Sequence, residues 1–427
     1  MATTSTLKAR IALCLFVVFG LAALDLKAQI SINAGKSNLE ISGALYPIFN
    51  MRYVPGSASG PVYWPFSNNQ NADLRNNRFE MRNIQLNLEG RYANDWEYQI
   101  QINFAKIASP DGGPDIENPP LMESSVSYVG SRHIKVKAGF QKIPYSRSSL
   151  TSYTQMPYIR RAEMVRGEVF SRRDVGVVLY NSYWNQRINL FAGMFTGQGE
   201  AALMGVNDRS GNFELVARAE VAYPSRYRNR EIDDNISPVP MVVLGVNGRT
   251  NTRGNIFASD SLNYGLKNLN GTRNMWGFDV SAQYMGWSAQ FEYHLMNMRP
   301  TVMADYGQGL QAYTDNFNAG GFITQLNYNC QPLRSVFSIR YDRFNSNDLV
   351  GARAGEPNYN FLSGTVTGKA YDSRSTQENI TIAYNLKLNG WNSALRAQYS
   401  QPIKVDETLP GRAADPQLRL GWQYLFR

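Results

Sequence analysis

Apolar and polar side chains alternate at every second residue along most of this chain. That is the period of a strand with one greasy and one wet face. Trp96, Tyr98, Ile100, Ile102 and Phe104 alternate with Glu97, Gln99, Gln101 and Asn103; near the end Leu418, Leu420, Trp422, Tyr424 and Phe426 alternate with Gln417, Arg419, Gly421 and Gln423. The same grammar predicts sixteen strands, at 37–51, 76–90, 96–107, 121–129, 134–140, 174–180, 187–195, 212–223, 239–247, 274–284, 287–298, 317–328, 334–345, 376–388, 391–400 and 417–426. Helical periodicity is nearly absent.

The connections between these strands sort themselves by length. Long ones of roughly 24, 13, 33, 16, 26, 18, 30 and 16 residues interleave with short ones of 5, 4, 6, 15, 2, 5 and 2. A soluble sandwich has no reason to send its long loops to one end, whereas an outer-membrane barrel has short turns on one side and long loops on the other. In hydrocarbon every backbone N–H and C=O must be paired within the protein, so strands span only as a closed ring. The expectation is an all-β, sixteen-stranded antiparallel transmembrane β-barrel. The connection 224–238 is too long for its side. Asn389 and Gly390 read as a two-residue hairpin turn, and Trp96, Tyr128, Trp276, Trp287, Tyr328, Trp391 and Tyr399 fall where the interfacial aromatic girdles belong.

Composition agrees. Of 427 residues 43% are hydrophobic and 12% aromatic, yet only 18% are charged, against about 25% in a soluble domain. Past residue 28 no apolar run approaches the roughly 18 residues of a spanning helix. Cys14 and Cys330 form no disulfide framework, and no cluster of Cys or His has metal-ligand spacing. No cofactor is implied. The first 28 residues read as an export signal: Lys8 and Arg10 form a basic head, Ile11–Leu24 an apolar run, and Leu26, Lys27 and Ala28 a cleavage site before Gln29. The chain thus divides into a signal peptide, 1–28, and a barrel, 29–427, placed in the outer membrane of a Gram-negative bacterium with outer-membrane lipid as its surroundings. Loss of 1–28 removes three bases and one acid and takes the net charge from +9 to +7.

Sixteen strands leave an aqueous channel, where eight would leave a filled one. The polar faces carry Lys135, Lys137, Arg218, Arg340 and Arg396 as possible wall cations, together with Glu89, Glu97, Glu214, Glu220, Glu292 and Asp342. The longest connection is different. From Lys142 to Arg173 it holds Lys142, Arg147, Arg160, Arg161, Arg166, Arg172 and Arg173 against Glu163 and Glu168, so five of the seven surplus charges sit in one loop. Tyr145, Tyr153, Met156, Tyr158, Ile159 and Phe170 give it material to pack with, which separates it from a disordered tail.

Asn77–Phe104, Val136–Leu150, Arg173–Val177 and Arg340–Phe344, in that order and spacing, resemble the phosphate-selective porin O and P family. The resemblance implies a sixteen-stranded barrel, often trimeric, whose third loop folds into the lumen and narrows it with arginines. By position that loop is 141–173. Two departures stand out: Arg147, Ser148 and Ser149 occupy positions where the family has acidic residues, and the connection 248–273 offers Lys267 alone where phosphate-selective members place several lysines.

The chain is therefore expected to be a passive pore for small hydrophilic solutes, favouring phosphate or other small anions. Lys142, Arg147, Arg160, Arg161 and Arg166 would line the constriction. Guanidinium offers forked donors to anionic oxygens, and a narrow, water-poor passage strengthens each charge. A competing reading makes these arginines latches onto Glu97, Glu123 or Glu292, with Arg172 and Arg173 the most latch-like. Two alternatives of other classes are an adhesion barrel working through 52–75 and 346–375, and an outer-membrane hydrolase. The second has only His133 and His294 to draw on, with no serine motif attached. Export and strand context place the basic residues at a membrane, so a nucleic-acid partner is not expected. The string Gly364–Lys369 lacks Walker spacing.

Overall fold

The computed structural model describes residues 30–52, 77–106, 120–165, 170–199, 203, 211–225, 230–253, 271–300, 317–345, 358–360, 365–367, 376–404 and 416–426. The predicted signal peptide, Arg166, Lys267 and the greater part of 52–75 and 346–375 lie outside them.

The strands are β1 (Ile30–Ala34), β2 (Ser37–Arg52), β3 (Asn77–Tyr92), β4 (Trp96–Asn103), β5 (Leu121–Tyr128), β6 (Lys135–Lys142), β7 (Arg173–Tyr183), β8 (Ile188–Phe195), β9 (Glu214–Tyr223) and β10 (Met241–Arg253). They continue with β11 (Gly271–Tyr284), β12 (Trp287–Pro300), β13 (Phe317–Cys330), β14 (Ser335–Asn345), β15 (Asn358–Asn360), β16 (Thr365–Thr367), β17 (Thr376–Asn389), β18 (Ser393–Lys404) and β19 (Gln417–Phe426). From β2 to β14, and on through β17 to β19, each strand pairs antiparallel with the next, and β19 returns to β2 from Gln417↔Arg52 to Phe426↔Gly43. Sixteen strands close a barrel. β15 and β16 form a separate hairpin.

Exposure shows what surrounds it. Val246 is 61% and Ile382 52% exposed, while Glu292 and Asn385 are 0%. A greasy exterior over a polar interior suits hydrocarbon outside and water within. The pleat sorts the side chains, because period two sends each polar residue to the face its apolar neighbours leave.

Three details depart from the sequence reading. β1 is an additional strand, set against Ser37–Ile41 of β2 by a tight turn at Gly35 and Lys36. The strand expected at 96–107 stops at Asn103, whose side-chain carbonyl accepts from the Ile84 and Ala105 N–H groups and turns the chain into a short 3₁₀ segment. The turn after β17 spans three residues, 390–392, with a register shift between Lys387 and Asn389, so the two-residue hairpin is not formed.

Of the girdle aromatics, Trp96 packs on Tyr128 with ring centroids 5.0 Å apart, and Trp287 on Tyr328 at 4.6 Å. Trp391 instead donates its indole N–H to Asp234 at 2.5 Å. A polar partner has drawn it away from the lipid-facing role.

Candidate functional site

The connection between β6 and β7 is bonded to the polar faces of strands far round the ring. It leaves β6 through Ile143, Pro144 and Tyr145 and forms a single helical turn, α1 (Arg147–Leu150), whose first orphan donors are met by the Ser146 hydroxyl accepting from the Ser149 N–H at 3.1 Å. Such a cap is what Ser supplies at this position. The Ser148 N–H and hydroxyl both donate to the Glu292 carboxylate of β12, at 3.0 and 2.6 Å.

Wall arginines then take the loop's backbone carbonyls in turn. Arg218 of β9 donates to Tyr145 at 2.8 Å, Arg249 of β10 to Ser171 at 3.0 Å, and Arg340 of β14 to Arg160 at 3.1 Å. Arg396 of β18 donates to the carbonyls of Met156 and Tyr158, while Asn385 of β17 reaches Pro157 at 3.0 Å. Apolar packing completes the anchorage. Ile143, Tyr145, Met164 and Phe170 join Phe195, Met275, Ile323 and Phe344 in one buried cluster, and Ile159 joins Tyr46 and Ile48 in another.

Acids hold these wall arginines in place. Arg218 forms a two-pronged pair with Asp279 at 2.6 and 2.9 Å and also meets Glu220 at 2.9 Å. Gly245 lies on the strand between: a Cβ there would sit 2.6 Å from Arg218 Nη2 and 2.7 Å from Asp279 Oδ2. Arg249 pairs with Glu214 at 2.8 and 2.7 Å, with Arg273 on the same carboxylate at 3.1 Å. Arg340 is 3.1 Å from Asp342.

The candidate site residues thus fall into three groups. Arg218, Arg340 and Arg396 hold the loop. Arg147 is buried within α1 at 1% exposure, and Arg160 is tied through its own backbone, its N–H donating to Gln398 at 3.0 Å. Lys142 reaches the Leu150 carbonyl at 3.2 Å and Glu123 at 3.4 Å, Lys137 is 4.0 Å from Glu123, and Lys135 is half-buried near the short turns. Arg173 is 3.8 Å from Glu123. Glu97 pairs with Arg91 at the barrel's short-turn end rather than with the loop.

Arg161 belongs to a cluster that the sequence did not single out. It donates to the carbonyls of Ser148 and Thr151 and lies over the Tyr153 ring at 4.6 Å, with Arg82 of β3 at 5.1 Å and Arg172 at 5.4 Å from the same centroid. Contacts of a guanidinium with an aromatic face are worth about 0.5–2 kcal/mol each. The three cations stand no more than about 11 Å apart, where mutual repulsion at an effective dielectric of 20 is at least about 1.5 kcal/mol per pair. Nε of all three, and Nη1 of Arg172, are buried without a hydrogen-bond partner. Burial, with Arg172 beside it, pushes the Arg161 guanidinium down to about 9, so it stays charged at neutral pH. Unused donors on buried cations are what an anion would satisfy. Only Arg82, on a strand, and Tyr153, among the loop aromatics, could have signalled this in the sequence, and neither has a distinguishing spacing.

A second segment approaches from the short-turn end. In the connection 224–240, Glu231, Ile232 and Asp233 are buried. Ser288 and Asn327 donate to the Glu231 carbonyl at 2.8 and 2.7 Å, and the Asp233 carboxylate accepts from the N–H groups of Ser237 and Gly286 at 2.8 and 2.9 Å. Burial holds the Glu231 carboxyl above the usual range, with Arg161 and Arg340 pulling it down. That is why this connection is too long for its side: it is a strap across β11, β12 and β13.

On the opposite arc the polar face opens on a cavity of about 830 Å³. Glu40, Glu89, Ser125, Lys137 and Lys142 line it, and Leu150 of the loop forms part of its boundary.

His294 lies 2.6 Å from Glu292 and packs against Tyr145 and Phe170, while Ser148 bonds the same carboxylate. The carboxylate stands between hydroxyl and imidazole. A serine hydroxyl activated by histidine needs the imidazole in the middle.

Compared with family models, the chain matches the one described as "Phosphate-selective porin O and P" over residues 63–377. Compared by sequence with curated proteins, it has no match. Among solved structures it is similar to OmpF of Salmonella typhi in complex with daunomycin, at TM-score 0.55 and 11% identity over 93% of this chain and 100% of that one. It is similar to the outer-membrane channel DcaP of Acinetobacter baumannii, at 0.53 and 11% over 93% and 100%, and to an anion-selective porin from Comamonas acidovorans, at 0.50 and 10% over 91% and 100%.

Proposed function

Because this chain belongs to the phosphate-selective porin O and P family, a family of outer-membrane β-barrels, we propose that it carries small hydrophilic solutes by passive diffusion and prefers anions, phosphate or others of similar size. In this reading the segment 141–173 folds into the lumen, and solutes pass its edge at the group Arg82, Arg161 and Arg172. The single observation that carries the anion preference is three guanidiniums on one tyrosine ring with donors to spare and no carboxylate bonded to them among the described residues. Several moderate interactions in sequence let an ion enter and leave, where one tight site would trap it. Lys142 and Lys137 would extend the path beneath the loop. Arg147 and Arg160 act in it as supports of the loop. Assembly as a homotrimer is part of the same proposal. So is a non-catalytic role, supported by the unsuitable order of Ser148, Glu292 and His294.

The test is the reversal potential of the purified protein in a planar bilayer across a potassium chloride gradient. Anion preference that falls on changing Arg161 and Arg172 to glutamine is the expected result; cation preference in the parent, or a preference untouched by the change, overturns the mechanism. Absence of open-channel conductance would favour the adhesion reading instead.

A further inference from the structure

The cavity under the loop has two unlike sides. Tyr180 of β7 and Phe191 of β8 are directly paired across their strands, both half-buried and both lining the cavity, with ring planes 9° apart and centroids separated by 6.3 Å. Tyr180 packs against the buried cluster that holds Ile143 and Phe195, which fixes the ring in place, and Leu150 of the loop adds to the apolar lining.

The remainder of the lining, from β2 to β6, is polar, and its acids and bases meet one another. Arg91 pairs with Glu97 at 2.5 Å, Lys142 and Lys137 stand 3.4 and 4.0 Å from Glu123, and Gln99 donates to Glu89 at 3.2 Å. Among the described residues four carboxylates and three bases line the cavity, and Arg173, 3.8 Å from Glu123, evens the sum. A balanced set exerts little net field on an ion of either sign. Its hydrogen-bonding capacity is not used up, because a carboxylate has about four lone-pair sites and an ammonium group three donors, more than one ion pair consumes.

We propose that this cavity is a subsite for uncharged polyhydroxylated solutes, that is, mono- and disaccharides. The C–H face of a sugar ring lies against Tyr180 and Phe191, and its hydroxyls, each donor and acceptor at once, exchange water for Glu89, Gln99 and Lys137. An ion gains little from paired charges, and an apolar solute loses at the polar side; a sugar matches both sides. The volume of about 830 Å³ suits a small-molecule pocket with aromatic lining and a few polar groups. The subsite deepens the porin reading and rests on it, adding uncharged sugars to the anions assigned to the group around Tyr153.

Single-channel current of the full chain in potassium chloride tests this, with maltose as the probe and a polyethylene glycol of matched size as an uncharged solute without a sugar ring. Maltose is expected to lower the current to a saturating level, whereas the glycol lowers it in proportion to its concentration. Tyr180→Leu should raise the half-blocking maltose concentration about threefold, and together with Phe191→Leu about tenfold. Gln99→Leu, on the polar side, should raise it about threefold. Proportional lowering by maltose in the parent overturns the subsite, and that comparison decides the matter even where a leucine variant fails to insert. A half-blocking concentration unmoved by the ring changes overturns it too, as does a stronger saturating block by glutamine, which would mark a site for charged ends. A parent chain that opens no channel at all is the separate signature of a failed porin reading.

Discussion

The arc of wall from β9 to β18 and the arc from β2 to β6 are built from the same alternating strands and carry similar polar residues, yet they behave as different materials. In the first, the side chains of Arg218 and Asp279 are both 0% exposed, and Arg218, Arg249, Arg340 and Arg396 each hold a loop carbonyl. In the second, Arg91 and Glu97 pair at 61% and 36% exposure, beside open space. The difference is what covers the polar face. Segment 143–165 and the strap at 230–237 are bonded along the first arc, where a buried charge is costly unless it is partnered. Part of the second arc borders the cavity lined by Glu89, Arg91 and Glu97, and its ion pairs stand beside open space.

If that contrast is right, substitutions should separate the arcs by size of effect. Gly245→Val is expected to be the most damaging, at about 3–5 kcal/mol, because its side chain would push between Arg218 and Asp279 and leave two buried charges apart; reversible urea unfolding in lipid vesicles measures it. Next, Arg396→Met should lose about 2–3 kcal/mol as the carbonyls of Met156 and Tyr158 lose a charged donor. Single-channel recording should show higher and noisier conductance as the loop loosens. A quiet channel of parental conductance would mean that Arg396 does not hold the loop.

The strap offers a test with a sign. Since burial raises the Glu231 carboxyl, the folded protein is penalised while that group is charged and relieved as pH falls through its folded value. Glu231→Gln is therefore expected to be the more stable protein at neutral pH, with its advantage shrinking in acid. Vesicle unfolding at several pH values checks this, and an advantage that grows in acid would reverse the assignment. Smallest of all, Arg91→Gln should change stability by less than about 1 kcal/mol, as exposed pairs do. A loss as large as that of Arg396→Met would erase the distinction between the arcs.

The barrel was legible in the sequence because a two-residue period leaves no other home for its apolar side chains. Strands such as β12 and β19 were readable almost to the residue, since each side chain's face is set by its own position. Legibility ended where a role depends on a distant partner. Nothing in the spacing of Arg161 distinguishes it from Arg147, yet one lies on the Tyr153 ring and the other is enclosed in α1. Arg172 looked like a latch because it adjoins β7, but its neighbours are Tyr153 and Arg161. The 224–238 connection was visible as an irregularity in length, and its contacts with Ser288 and Asn327 were not, because they come from strands more than fifty residues away. Trp391 has the composition of a girdle residue, and one acceptor on that strap reassigned it.

The meeting of β2 with β19 carries a consequence for how the protein is made. β1 covers Ser37–Ile41 as soon as its own turn forms, but the remaining edge of β2, from Gly43 to Arg52, waits for residues near position 420. Ring closure is then the last event of assembly and the one of greatest sequence separation, which makes it slow. Until the final strand arrives, ten residues of unpaired backbone are open to any other chain that offers an edge, and a ribosome that stops short of β19 releases a sheet that cannot seal.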